Sequence, residues 1–238
     1  MSLEDAWKGL SGVLKKQRQG TCGVYSLWYA TELLAKLGGK KPIVYPRRGE
    51  MPKKATGESA RHFAKQSASS GQGEVLSEAE MTLIVKHFGY TPTCYARQST
   101  DKRKEFITEH LKADRPILVA YLMQNSPVTS TSATGTAQDD YGAHWSLIIN
   151  EDATEYRYLE PNNPNKITTC NKDIMLASNA DVDGVIYDRF WMKPSKNKLQ
   201  RIGDVSWVSA RFTAGFSTLY DLGSRDRQSL NYVLIAVS

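Results

Sequence analysis

Cysteine is scarce in this chain, with three among 238 residues: Cys22, Cys94 and Cys170. An odd number at that spacing suits neither a disulfide framework nor a Cys-x-x-Cys metal site, so a reducing compartment is expected and no metal or cofactor is implied. Long apolar runs are missing: none reaches the roughly 18 residues of a membrane span. The opening residues Met1-Ser2-Leu3-Glu4-Asp5 lack the basic-then-apolar layout of a signal peptide. A cytoplasmic protein with no membrane partner follows as the expectation, and export into a host cell by a route that needs no cleavable signal stays open. Internal repeats, heptads, zinc-finger patterns and RNP-type patterns are also absent. The basic residues are not interleaved with stacking aromatics, so nucleic acid is not an expected partner despite a sequence pI near 9.1.

What is present fits a folded protein. An apolar content of 40% excludes the disordered class. A chain of 238 residues is long enough for a full core and suits one monomeric domain of two lobes. The net charge of +6 is weighted toward the start, where Lys15, Lys16, Arg18, Lys36, Lys40, Lys41, Arg47, Arg48, Lys53, Lys54, Arg61 and Lys65 meet few acids. Such a face steers an acidic polypeptide or an anionic surface, or simply keeps the protein in solution.

The densest chemical signal is Gln17-Arg18-Gln19-Gly20-Thr21-Cys22-Gly23, which runs into an apolar-periodic stretch from Val24 to Leu37. Val24, Leu27, Trp28, Thr31 and Leu34 recur at three- and four-residue steps, and Gly38-Gly39 supplies a stop, so a helix begins at Cys22. Unpaired N–H groups and the positive end of the helix dipole favour a thiolate there, and Lys15, Lys16 and Arg18 act in the same direction. The Gln17 amide and the Cys22 N–H are then placed to hold a carbonyl oxygen as it becomes negative. Gly23 is expected to leave that approach sterically open. The plain alternative is a small buried cysteine beside a surface loop.

A nucleophilic cysteine needs a base, and there are four histidines. His87 ends a helix opened by Ser77 and Glu80 as a capping box, His110 packs beside Phe106 and Leu111, and His62 between Arg61 and Lys65 is expected to be solvated. His144 differs. It opens the strand-like run His144-Trp145-Ser146-Leu147-Ile148-Ile149 after a long Ser/Thr/Gly-rich connection from Asn125 to Gly142, of a length that is uncommon unless it lines a site or is disordered. Trp145 either shields the couple from water at the substrate face or is a core residue. Asp139 and Asp140 are candidates for a cationic group or for orienting the base.

The base needs an orienting partner. Glu155 to Glu160 alternates like a strand and Pro161-Asn162-Asn163-Pro164-Asn165 is a dense turn. A strand antiparallel to the His144 strand brings Glu160 or Asn162 beside His144. Glu160 is favoured because Asn162 belongs to the turn, where its side chain competes for local backbone groups.

Gln17-x-x-Gly20-x-Cys22-Gly23 with the Leu27-Trp28 helix, and then Ala143-His144-Trp145, resembles the papain-like cysteine peptidases, nearest the branch with bacteriocin-processing peptidase domains. Gly71-Gln72-Gly73-Glu74-Val75-Leu76-Ser77, leading to Gly89-Tyr90, is similar to the actin maturation protease family, as is the strand Arg115 to Tyr121. The resemblance covers about Gln17 to Pro161, with an echo in Tyr232 to Val237. It implies an α+β papain-like fold, in which the nucleophile helix of an N-terminal helical lobe (about 17–112) packs on a C-terminal antiparallel sheet lobe (about 115–238). It also implies Cys22 as nucleophile, His144 as general base and Gln17 as oxyanion donor; Glu160, read from the strand pattern, is the candidate third residue, and Gly23 and Trp145 are candidate substrate-binding positions. Strands are expected at Pro116 to Met123, Trp145 to Asn150, Glu155 to Leu159, Gly184 to Tyr187, Val205 to Val208 and Tyr232 to Val237.

The expected activity is therefore hydrolysis of a peptide bond in a protein substrate, at an acidic or N-terminal segment such as that of actin. A glutamine deamidase or transglutaminase-like effector uses the same constellation, and an inactive papain-like scaffold that only binds a partner has the same fold.

Overall fold

A computed structural model describes residues 1–10, 12–17, 21–46, 58–67, 75, 77–96, 99–124, 141–181, 190–193, 198–201, 230 and 232–238. The expected strands Gly184 to Tyr187 and Val205 to Val208 lie outside these residues. So do Arg18 to Gly20, Asp139 and Asp140, and most of the segment from Gly71 to Leu76.

The helices are α1 (Leu3–Lys8), α2 (Cys22–Lys36), α3 (Ala60–Ser67), α4 (Glu78–His87), α5 (Thr100–Lys112) and α6 (Lys172–Asp181). The strands are β1 (Pro92–Cys94), β2 (Ile117–Gln124), β3 (Tyr141–Glu151), β4 (Glu155–Leu159), β5 (Ile167–Asn171), β6 (Phe190–Lys193), β7 (Lys198–Arg201) and β8 (Leu234–Val237). Six of the strands form one sheet in the order β1-β8-β2-β3-β4-β5, antiparallel at every pairing, and β6 and β7 form a separate two-stranded antiparallel sheet. The fold is α+β, consistent with the papain-like arrangement that the sequence implies. β1, from the first half of the chain, pairs with β8 at its end, and α6 follows β5.

The apolar stripe of α2 understates its burial: every residue from Gly23 to Thr31 is buried. A helix buried on all sides is a central core element, not a surface one. It packs on β3, where Ser26 Oγ donates to the Trp145 carbonyl at 3.2 Å. β8 is wholly apolar, Leu-Ile-Ala-Val, and buried at all four positions, as a strand flanked by β1 and β2 requires. α6 is pinned to the sheet by Asn179, whose Nδ2 donates to the Ala120 carbonyl at 2.7 Å and the Val233 carbonyl at 3.2 Å. Cys170 lies on edge strand β5.

Candidate active site

Cys22 is the first residue of α2, half-buried and free. The first intrahelical bond runs from Tyr25 N to Thr21 O at 3.1 Å, so the Cys22 N–H has no acceptor within the helix. His144 stands on β3 directly opposite Tyr121 of β2. Its Nε2 lies 2.5 Å from Glu160 Oε1, and it shares a hydrogen bond with Cys22. With Nε2 committed to Glu160, Nδ1 is the ring nitrogen left for the sulfur.

Glu160 follows the last residue of β4. The register pairs Leu147 with Leu159 and Ile148 with Tyr158, so one further step sets Glu160 opposite Ser146, on the face that carries His144. Its carboxylate is satisfied on both oxygens. Oε1 meets His144 and accepts from the Asn162 N–H at 3.2 Å. Oε2 accepts from Tyr121 OH at 2.6 Å and from Ser146 Oγ at 3.3 Å, and those two hydroxyls are 3.2 Å apart.

The electrostatics follow from this geometry. Burial pushes the imidazolium of His144 down, but the charge of the Cys22 thiolate, the hydrogen bond with Cys22, and the hydrogen bond and charge of Glu160 outweigh it and raise the pKa to about 10. Burial pushes the Glu160 carboxyl up, yet the hydrogen bond and charge of His144, the Tyr121 hydroxyl and the Asn162 N–H together hold it below the ordinary glutamate value. Tyr121 moves well up through burial and the neighbouring Glu160 charge, so it stays a donor.

Gln17 joins the same network. Its Nε2 donates to Asn162 Oδ1 at 3.0 Å, and its backbone N–H donates to the Pro161 carbonyl at 2.8 Å. A continuous path of hydrogen bonds thus runs Cys22, His144, Glu160, Asn162, Gln17, which brings together the four residues that the sequence singles out for chemistry. Between the two alternatives for the partner of His144, the side chain that meets the ring is Glu160; Asn162 faces Gln17.

Gly23 and Trp145 both lie against Val75. A Cβ on Gly23 would stand 2.9 Å from Val75 Cβ and 3.2 Å from Met81 Cε, so the missing side chain makes room for Val75 and Met81, not for a ligand. Trp145 is 1% exposed and its indole N–H donates to the Val75 carbonyl at 2.8 Å. Sequence reasoning missed Tyr121 and Ser146. Their signal was positional: in strands that pair antiparallel, both fall on the face of His144.

The other histidines have structural surroundings. His87 pairs with Glu58 at 2.8 Å and stacks on Phe63 at 3.7 Å. His110 is buried edge-on to Phe106, and His62 is half-buried where a solvated position was expected. No group of side chains suited to a metal ion occurs among the described residues.

A comparison with curated proteins finds no match to this chain. The family described as actin maturation protease-like, C-terminal domain, matches residues 13–150. That span contains Gln17, Cys22 and His144, ends short of Glu160, and takes in more than half of the sequence. The chain belongs to the actin maturation protease-like family.

Proposed function

We propose that this protein is a cysteine peptidase acting on a protein substrate. The observation that carries the reading is His144 held between the Cys22 sulfur and the Glu160 carboxylate, and membership of a protease-like family supports it. The Cys22 thiolate attacks the carbonyl carbon of the scissile amide, and the carbonyl electron pair moves to oxygen. The Cys22 N–H and the Nε2 proton of Gln17 not given to Asn162 stabilise that oxyanion. His144 gives its Nδ1 proton to the leaving amine as the C–N bond breaks, leaving a thioester on Cys22. Water, deprotonated by His144, then releases the acid and restores the thiol. Glu160 holds the ring and offsets its charge throughout. The basic weighting of the first 65 residues favours an acidic segment of the substrate, such as the N-terminus of actin.

The test is mass spectrometry of purified actin and of a whole-cell lysate treated with the protein, with Cys22→Ala as control. Fragments truncated at one kind of bond, absent with the control, are expected. A gain of about one dalton at glutamine without truncation would replace the peptidase reading with deamidation, since water then resolves an acyl-enzyme formed from a side-chain amide. No change in either sample would leave a binding scaffold.

A further inference from the structure

We infer that Asn162 is the positioning residue of the oxyanion donor: its side-chain oxygen fixes the rotation of the Gln17 amide. This rests on the peptidase reading above and extends it to a residue outside the family match. Among the described residues Gln17 Oε1, which is buried, has no hydrogen-bond partner, so the amide is oriented through its nitrogen, by the 3.0 Å bond from Nε2 to Asn162 Oδ1. An amide held at one end by a single acceptor turns when that acceptor is removed. One Nε2 proton is used by Asn162 and the other is thereby aimed.

Asn162 is itself fixed. Its N–H donates to Glu160 Oε1, and the preceding Pro161 carbonyl accepts from the Gln17 N–H at 2.8 Å and from Tyr29 OH at 3.5 Å. Tyr29 OH also reaches the Lys15 carbonyl at 2.7 Å, and Trp7 Nε1 donates to the Pro164 carbonyl at 3.0 Å. The turn after β4 therefore holds two parts of the machinery at once, the carboxylate that orients the base through Glu160 and the amide that meets the oxyanion through Asn162. Substituting the Asn162 side chain leaves its N–H bond to Glu160 in place, so the two functions separate.

Two reagents read them independently. Iodoacetamide alkylates the thiolate by displacement at carbon and builds no oxyanion. p-Nitrophenyl acetate acylates it through one: the sulfur bonds to the acetyl carbon, the ester C–O bond breaks, and p-nitrophenolate leaves with the electron pair, the thiol proton having passed to His144. In Asn162→Ala, alkylation of Cys22 is expected to stay within about twofold of wild type. Acylation should fall about tenfold, less than the hundredfold or more seen when an oxyanion donor is deleted outright. Asn162→Asp retains an acceptor and is expected to recover most of the acylation. In a Gln17→Ala background, Asn162→Ala should add no further loss, as for two residues acting through one contact.

Intact acylation in Asn162→Ala overturns the inference, as does an equal loss of alkylation, an Asn162→Asp variant as slow as Asn162→Ala, or additive losses in the double variant. If wild-type Cys22 alkylates no faster than Cys94 and Cys170 at mildly acidic pH, the peptidase reading itself fails and takes the inference with it.

Discussion

Replacing Glu160 with glutamine is the sharpest perturbation of the couple. Glutamine has the same shape: its oxygen can still accept from His144 Nε2 and from the Asn162 N–H, and its amide nitrogen can donate to the hydroxyls of Tyr121 and Ser146. What Glu160→Gln removes is one buried negative charge, on a side chain 14% exposed, beside a ring 5% exposed. An opposite charge at this range shifts a pKa by about 1–3 units. Because Cys22 weighs more than Glu160 in raising His144, the low end applies. One unit is about 1.4 kcal/mol, or tenfold in the ratio of thiolate–imidazolium to thiol–imidazole. The sign is fixed by direction. A raised His144 stays protonated as pH climbs past 6.5 and loses its proton only near pH 10, so the variant sheds its imidazolium at lower pH. The assay is the rate of iodoacetamide alkylation at Cys22 against pH. It should match wild type near pH ~6, where the ring stays protonated in both, and the change in rate that accompanies loss of the imidazolium should come about one pH unit lower in the variant. Superimposed profiles would refute the assigned role of Glu160, and a deficit constant across pH would show displacement of the side chain instead of loss of its charge.

Tyr121→Phe keeps the ring contacts but deletes the 2.6 Å donor to Glu160, leaving Ser146 at 3.3 Å; it should cost about 1.5–3 kcal/mol in urea unfolding, the range for a buried hydrogen bond to a charge. An unchanged urea midpoint would show that the carboxylate is served without it. Gly23→Ala presses a methyl group into Val75 and Met81 and should destabilise by about 1–3 kcal/mol, with slower alkylation of Cys22 next to it. Wild-type stability in that variant would mean the segment yields freely. Glu4 is held below its ordinary value chiefly by the Asn150 hydrogen bond, against burial and with help from Arg157. A depressed carboxyl stabilises the fold above pH 4.5 and loses that contribution as pH falls through its folded value, so Glu4→Gln should flatten the acid limb of stability measured by urea midpoint from pH ~3 to ~6.

Much of the candidate site's scaffold was legible because its signals are local. The stripe from Val24 to Leu34 marks α2 and hence the place of Cys22 at a helix start, and the alternation of Glu155 to Leu159 marks β4. The elements that escaped have weak local signals. α1 spans six residues, too few for a periodic stripe, and is set by the Ser2–Asp5 capping box. β5 is an edge strand of Ile-Thr-Thr-Cys-Asn with no fully buried position, so no apolar alternation announces it. α6 begins where Asn171 Oδ1 accepts from the N–H groups of Asp173 and Ile174, a cap that reads equally well as a turn. The pairing of β1 with β8 joins positions more than 130 apart, and nothing in either segment names its partner.

The placement of Glu160 shows what local pattern alone leaves open. From the hairpin that pairs Glu151 with Tyr156 and Asn150 with Arg157, an unbroken ladder would set Ile149 opposite Tyr158 and Leu147 opposite Glu160. The carboxylate would then fall on the face opposite His144, because a slip of one residue exchanges the two faces of a strand. The ladder is not unbroken. The register shifts between Ile148 and Asn150, pairing Ile148 with Tyr158 and leaving Ile149 as the extra residue. A bulge of this kind re-aims every side chain beyond it. Here it brings Glu160 opposite Ser146 and within reach of the ring. The alternation of β4 could be read from the sequence, but the face on which its last carboxylate arrives is decided by one residue of slack in the neighbouring strand.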